Sequence, residues 1–145
     1  MDLVFTLAGA PRGKERVKHT FGPTGHAYTP EKTVTFESRL AYAAQEAMNG
    51  RPLFDGPLHL VLCAYMPIPT SKPNRWKAEA ASGLIRPTIK PDFDNIAKCV
   101  DALNLVVWVD DKQIVSAVIE KHYSEAPRTV VKVRKVNPLM KGAFG

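Results

Sequence analysis

Ten residues near the middle of the chain, PLHLVLCAYM (Pro57 to Met66), form an unbroken β-rich apolar run between Gly/Pro-bearing segments. Such a run is too short to span a bilayer. Its continuity predicts a central strand covered on both faces. Whatever else the chain folds into must supply those covers. The candidates lie on either side. Thr29-Pro30-Glu31 reads as a helix start, with Thr as cap and Pro at the first helical position. Phe36, Leu40, Ala43, Ala44 and Ala47 then recur at helical spacing, and Asn49-Gly50 ends the element. After the strand, PIPTSKP breaks the pattern, Asn74 to Ser82 reads as a short helix, and Gly83 closes it.

The rest follows the same logic. Asp2 to Leu7 alternates as a strand. Ala8 to Thr29 carries Gly and Pro throughout and reads as a long basic loop. Pro87 to Asp94 reads as extended because Pro91 biases its neighbour away from helix. Asp94 or Asn95 caps a further helix running to about Leu103, and Leu105 to Val109 is a short strand or the approach to a turn. Gln113 to Tyr123 and Arg128 to Val136 read as two strands of a hairpin joined by SEAP, with a loosely held tail from about 137. The order predicts an α+β fold, one domain over 1–145, with a mixed β-sheet and helices packed against it. A chain of 145 residues, 45% hydrophobic, has enough apolar material for such a core without metal or disulfide staples.

Two further features bear on location. Asp2 sits where a leader peptide carries positive charge, so the opening segment does not read as a secretory signal. Cys63 and Cys99 lie in apolar contexts and read as buried free thiols of a reducing cytoplasm. His59 reads as a strand residue, and His19, His26 and His122 as surface residues; sharing no spacing, none reads as a ligand.

The formal net charge is +6, which favours partners that carry phosphate. Arg12, Lys14, Arg16 and Lys18 crowd one Gly/Pro-bounded segment and are candidate DNA-backbone contacts. Lys72, Arg75, Lys77 and Arg86 extend that surface, while Trp76 reads as a packing residue. Against this background the acids are concentrated at Asp92, Asp94, Asp101, Asp110 and Asp111. Taken singly, Asp94 is an N-cap, Asp92 a turn residue and Asp110-Asp111 a solvated turn. Taken together, they repel unless a cation sits between them. Asp92 and Asp94, two apart in an extended segment, share a side. If Asp110 or Asp111 folds back beside them, the set suits a hard cation such as Mg²⁺, which takes oxygen ligands and keeps several waters. Lys98 lies one helical turn past Asp94, either reaching that site or simply pairing with Asp94 or Asp101. Asn95 caps the helix or orients a carboxylate; spacing does not decide.

The run KPDFDNIAK, then DALN, then VDDKQI resembles the RusA family of Holliday-junction resolvases of bacteria and phages. APRGKERVKHT, AYTPEKTVTFE and GLIRPTIKPD resemble its phage-type members, so the likeness reaches about Val136. The resemblance implies a homodimeric, cytoplasmic, Mg²⁺-dependent endodeoxyribonuclease, with Mn²⁺ as a substitute. Such an enzyme binds branched DNA and resolves four-way junctions by paired symmetric nicks, in recombination and repair. The sequence itself has no phosphate-binding Gly loop and no apolar run of membrane length, so no nucleotide cofactor and no membrane partner is expected. On this likeness the catalytic and metal-holding acids are Asp92, Asp94 and Asp111, the catalytic lysine is Lys98, and Asn95, Asp101 and Asp110 support them. Two departures stand out. One residue fewer separates Lys98 from Asp101, and Leu105 stands where the family often has Gly for a tight turn. Two rival functions use the same residues: a nuclease for flaps or displacement loops, and a protein that recognises DNA shape without cutting.

Overall fold

A computed structural model describes residues 2–14, 18–19, 27–28, 31–139 and 141–145, with no side-chain description for 18–19, 27–28 and 31–33. Strand β1 (Leu3–Ala8) is followed by two short strands, β2 (Lys18–His19) and β3 (Ala27–Tyr28). Helix α1 (Glu31–Met48), strand β4 (Leu58–Pro67) and helices α2 (Asn74–Ala81) and α3 (Phe93–Lys98) come next. A 3₁₀ segment (Cys99–Leu103) and a 3₁₀ turn (Asp111–Gln113) precede β5 (Ile114–Ser124) and β6 (Arg128–Lys135). The fold is α+β: a mixed four-stranded sheet in the order β1-β6-β4-β5, with three helices.

Three expectations are corrected here. The long basic loop contains an antiparallel ribbon, in which Lys18 pairs with Tyr28 and His19 with Ala27. Strands β5 and β6 are not a hairpin. β4 lies between them, parallel to β5 and antiparallel to β6. The parallel pairing is reached through the α2–α3 crossover, which places the acid-rich segments between the two strands in sequence. Finally, β4 is covered on one face only, its residues alternating between buried and half-buried.

The covered face carries Leu3, Phe5 and Leu7, then Val131 and Val133, then Leu58, Leu60, Leu62, Ala64 and Met66. Helix α1 lies on it through Phe36, Leu40, Ala44 and Met48. Phe36, Leu40 and Ala44 are buried as their spacing predicts, Ala43 and Ala47 are only half-buried, and Met48 joins them; burying a Leu, Phe or Met side chain contributes about 1.5–3 kcal/mol. The helix ends where Asn49 and Gly50 enter the left-handed region, at φ 47° and 79°. The cap residues Thr29 and Pro30 lie outside the described residues. The open face is a grid built by register. One row runs Val4, Lys132, Val61, Val118, and the next Thr6, Val130, Cys63, Glu120. His59 stands on β4 as expected, against Ser116. Both cysteines are free; Cys99 is buried, but Cys63 is only half-buried because it faces the open side. No described helix is long and apolar enough to cross a membrane. Beyond Lys135 the described chain makes turns, with Leu139 and Phe144 exposed.

Candidate active site

Helix α3 begins at Phe93 and its cap is Asp92, not Asp94 or Asn95, so the extended stretch ends at Asp92 and Asp94 is helical. Asp92 is the N-cap and Asp94 lies in the first turn. Asp92 has the extended backbone of a cap, yet its side chain makes no capping hydrogen bond. Both carboxylates are exposed. Lys98 lies one turn on, with Nζ 3.8 Å from Asp94 Oδ2. Asn95 is half-buried, and its carbonyl accepts from Lys14 N at 2.9 Å.

That backbone bond brings the N-terminal basic segment onto the helix. Cys99 Sγ donates to Arg12 O at 3.3 Å, and Gly13 lies flat against Pro91 and Asn95. The result is a cleft of about 750 Å³ whose walls include Arg12, Gly13, Lys14, Lys90, Asp92 and Asn95. Arg12 is exposed there. Lys14, expected among the phosphate contacts, is occupied internally. Its ammonium lies 2.6 Å from Asp101 Oδ2 and 3.5 Å from Glu37 Oε1. The hydrogen bond to Asp101 is the main reason its pKa is raised. Arg16 and the side chain of Lys18 lie outside the described residues. Of the further basic candidates, Lys72 sits over the Trp76 ring, Arg75 pairs with Glu79, and Arg86 donates to Lys121 O. Trp76 packs edge-on against Tyr123, in keeping with a packing role.

The VDD segment is held by residues that its acids do not announce. Trp108 is fully buried, and its Nε1 donates to Asn104 Oδ1 at 2.7 Å. Phe54 N donates to Val107 O at 2.8 Å. Leu105 takes φ 64°, so the turn where Gly is common is made here by an exposed leucine in the left-handed region. Gln113 is the hub. Its Oε1 accepts from Val109 N and Asp110 N, while its Nε2 donates to Phe54 O and Gly56 O. Asp110 completes a capping box by accepting from Lys112 N at 2.9 Å. Asp110 is therefore the capping member of the pair, and Asp111 takes no part in the cap. Sequence reasoning assigned no role to Asn104, Trp108 or Gln113; the available signal was a glutamine three residues past an aspartate, the capping-box spacing.

The 3₁₀ segment packs between α3 and the Asp111 turn and carries Asp101. Burial, then the hydrogen bond and charge of Asp110, then the charge of Asp101, push the Asp111 pKa up. The backbone N–H of Lys112 holds Asp110 down. The oxygens of Asp92, Asp94 and Asp111 do not all lie within 4.8 Å of one another. The set that does close, among the described residues, is Cys63, Glu120 and His122 on the sheet. The aspartates nonetheless suit a hard cation. They offer only oxygens, Asp92 makes no capping bond, and burial with the repulsion of Asp110 and Asp101 disfavours the charged form of Asp111; Mg²⁺ keeps several waters and so tolerates carboxylates that are not in direct contact.

The repulsion has a measurable consequence. A raised Asp111 contributes stability that is fully present below the ordinary Asp range and is lost as pH rises through its own value. Asp111→Asn is therefore expected to raise the Tm of the metal-free protein at neutral pH, by about 1–3 °C after screening. Below the usual aspartate range the two proteins should melt together. Thermal melts in EDTA across this pH range check it.

Residues 8–134 match the family described as Endodeoxyribonuclease RusA. A relative from Bacillus subtilis (strain 168), the uncharacterized protein YqaN, is 39% identical across 94% of this chain and 99% of its own. With this match running from the basic segment through the acid-bearing helix and the VDD turn into the last strand, the chain belongs to the RusA endodeoxyribonuclease family.

Proposed function

We propose that the protein is a divalent-metal-dependent endonuclease that resolves four-way DNA junctions by paired, symmetric nicks. The observation that carries this reading is the state of Asp92, which stands at a helix N-terminus, caps nothing and lines a cleft shared with Arg12 and Lys90. An acid without a structural partner, in a cleft with basic residues in its walls, fits a metal ion that bridges to a phosphodiester better than it fits a structural role.

Asp92, Asp94 and Asp111 would hold Mg²⁺ or Mn²⁺, which when bound neutralises phosphate charge and lowers the pKa of a water. The chain's own residues do the rest. Arg12 and Lys90 contact backbone phosphates along the cleft, joined by Arg16 and Lys18 of the N-terminal segment. Lys14 clasps that segment to Asp101, keeping the cleft wall in place. Lys98 sets a positive charge beside Asp94 and stabilises charge that develops at the scissile phosphate. Attack in line expels the 3′ oxygen and leaves a 5′-phosphate. A junction is roughly two-fold symmetric, so a homodimer with one site per protomer matches opposed strands. The proposed setting is the cytoplasm of a bacterium or phage-infected host, in recombination and repair.

Incubation with a labelled synthetic four-way junction tests the reading. Nicks at symmetric positions are expected with Mg²⁺ and none with EDTA. Flaps and displacement loops in parallel should be cut more slowly. Equal or faster cleavage of those substrates would overturn the junction assignment, and absence of Mg²⁺-dependent cleavage of any branched DNA would overturn the enzyme.

A further inference from the structure

The parallel pairing of β4 with β5 places Cys63 beside Glu120 and Tyr65 beside His122 on the open face of the sheet. Glu120 and His122, two apart on one strand, point the same way. Cys63 Sγ lies 3.9 Å from Glu120 Oε1, and the same oxygen lies 2.9 Å from His122 Nε2. One donor atom from each residue falls within 4.8 Å of the others. In tetrahedral coordination with bonds of about 2.0–2.3 Å, donors stand about 3.3–3.7 Å apart. Small side-chain adjustments on a rigid sheet therefore bring these three onto one ion. The imidazole is already oriented: it stacks on Tyr65, with centroids 5.2 Å apart and planes at 20°, and Arg128 sits 3.8 Å over the other ring.

We propose that Cys63, Glu120 and His122 form a transition-metal site of zinc type, separate from the aspartate site. The donor set decides the class. Thiolate and imidazole suit Zn²⁺ and its neighbours, whereas Mg²⁺ takes oxygen ligands. Three protein ligands leave a fourth position toward the open side of the sheet. On binding, the Cys63 thiol gives its proton to solvent. Arg86 sets the affinity. Its Nη2 lies 3.3 Å from His122 Nε2, while its Nε donates to Lys121 O. Without metal, the guanidinium occupies the place of the cation, and the ion must displace it.

Titration of the full-length protein with Co²⁺, read by absorbance, tests the site. The Asp92→Asn variant is used alongside the wild type to set aside the aspartate site. The expected result is a thiolate-to-cobalt charge-transfer band that saturates at one ion per chain, persists in Asp92→Asn and disappears on adding Zn²⁺. The band should vanish in Cys63→Ser and in His122→Ala, the second variant guarding against a folding defect in the first. Arg86→Gln should tighten binding by about tenfold, the scale of an outer-shell effect. Absence of the band, or its survival in Cys63→Ser, would show that the three residues form a hydrogen-bonded cluster only. Cys63→Ser should retain Mg²⁺-dependent nicking, so the two sites stand or fall separately.

Discussion

Replacing Asp92 with Asn should abolish Mg²⁺-dependent nicking of a four-way junction while leaving junction binding intact. Asn keeps the shape of the side chain but removes the anionic oxygen that a hard cation requires. It is also a good N-cap, and the native carboxylate makes no capping bond whose loss would matter. The side chain is exposed, so stability should stay within about 0.5 kcal/mol of wild type. The rate loss should exceed the roughly 10²–10³-fold that follows removal of a single neutral donor to a transition state. A mobility shift and a nicking assay on the same labelled junction measure both arms. A protein that only recognised DNA shape would bind, cut nothing in either form, and show no difference between them. Undiminished nicking in the variant would remove Asp92 from the reaction and with it the site centred on α3.

What could be read from the sequence was local. The apolar stripe of α1 and its Asn49-Gly50 stop depend on residues within a few turns of one another, and the structure reproduces both. The acid motif is legible for the same reason: Asp92, Asp94 and Lys98 belong to one short helix and its cap. The errors concern partners distant in sequence. SEAP has the turn chemistry of a hairpin, but β5 finds its neighbour in β4, which is separated from it by the whole α2–α3 crossover. The ion pair of Lys14 is invisible in the sequence because its partner Asp101 is 87 positions away. Nor does any spacing announce that Cys63 and His122 are neighbours, because two different strands bring them together. The roles of Gln113 and Trp108 are not legible in the sequence because amide and indole groups show their function only once the groups they bond are in place.

The N-terminal segment connects these distant pieces, and Gly13 is where the connection can be broken. A Cβ built there would stand 2.6 Å from Pro91 Cβ and 3.0 Å from Asn95 Cβ. The first contact is with a ring atom next to Asp92, not the tip of a flexible side chain, so it cannot swing away. Gly13→Ala must push the segment off α3. That weakens the Lys14 N to Asn95 O bond and the Cys99 contact to Arg12 O. Overpacking of this kind costs about 1–3 kcal/mol. The larger effect should fall on activity. Arg12 and Lys14 move as one wall of the cleft and Asp92 stands on the other, and a displacement of about 1 Å at such a site can cost roughly 10²-fold in rate. Gly142→Ala is the control, since nothing lies within 4 Å of a Cβ there. Its stability should stay within about 0.5 kcal/mol of wild type and its activity unchanged. Denaturant melts and nicking rates for the two alanine variants make the comparison. If Gly13→Ala cuts junctions at the wild-type rate, the basic segment does not shape the cleft, and the phosphate contacts assigned to it must come from elsewhere on the surface.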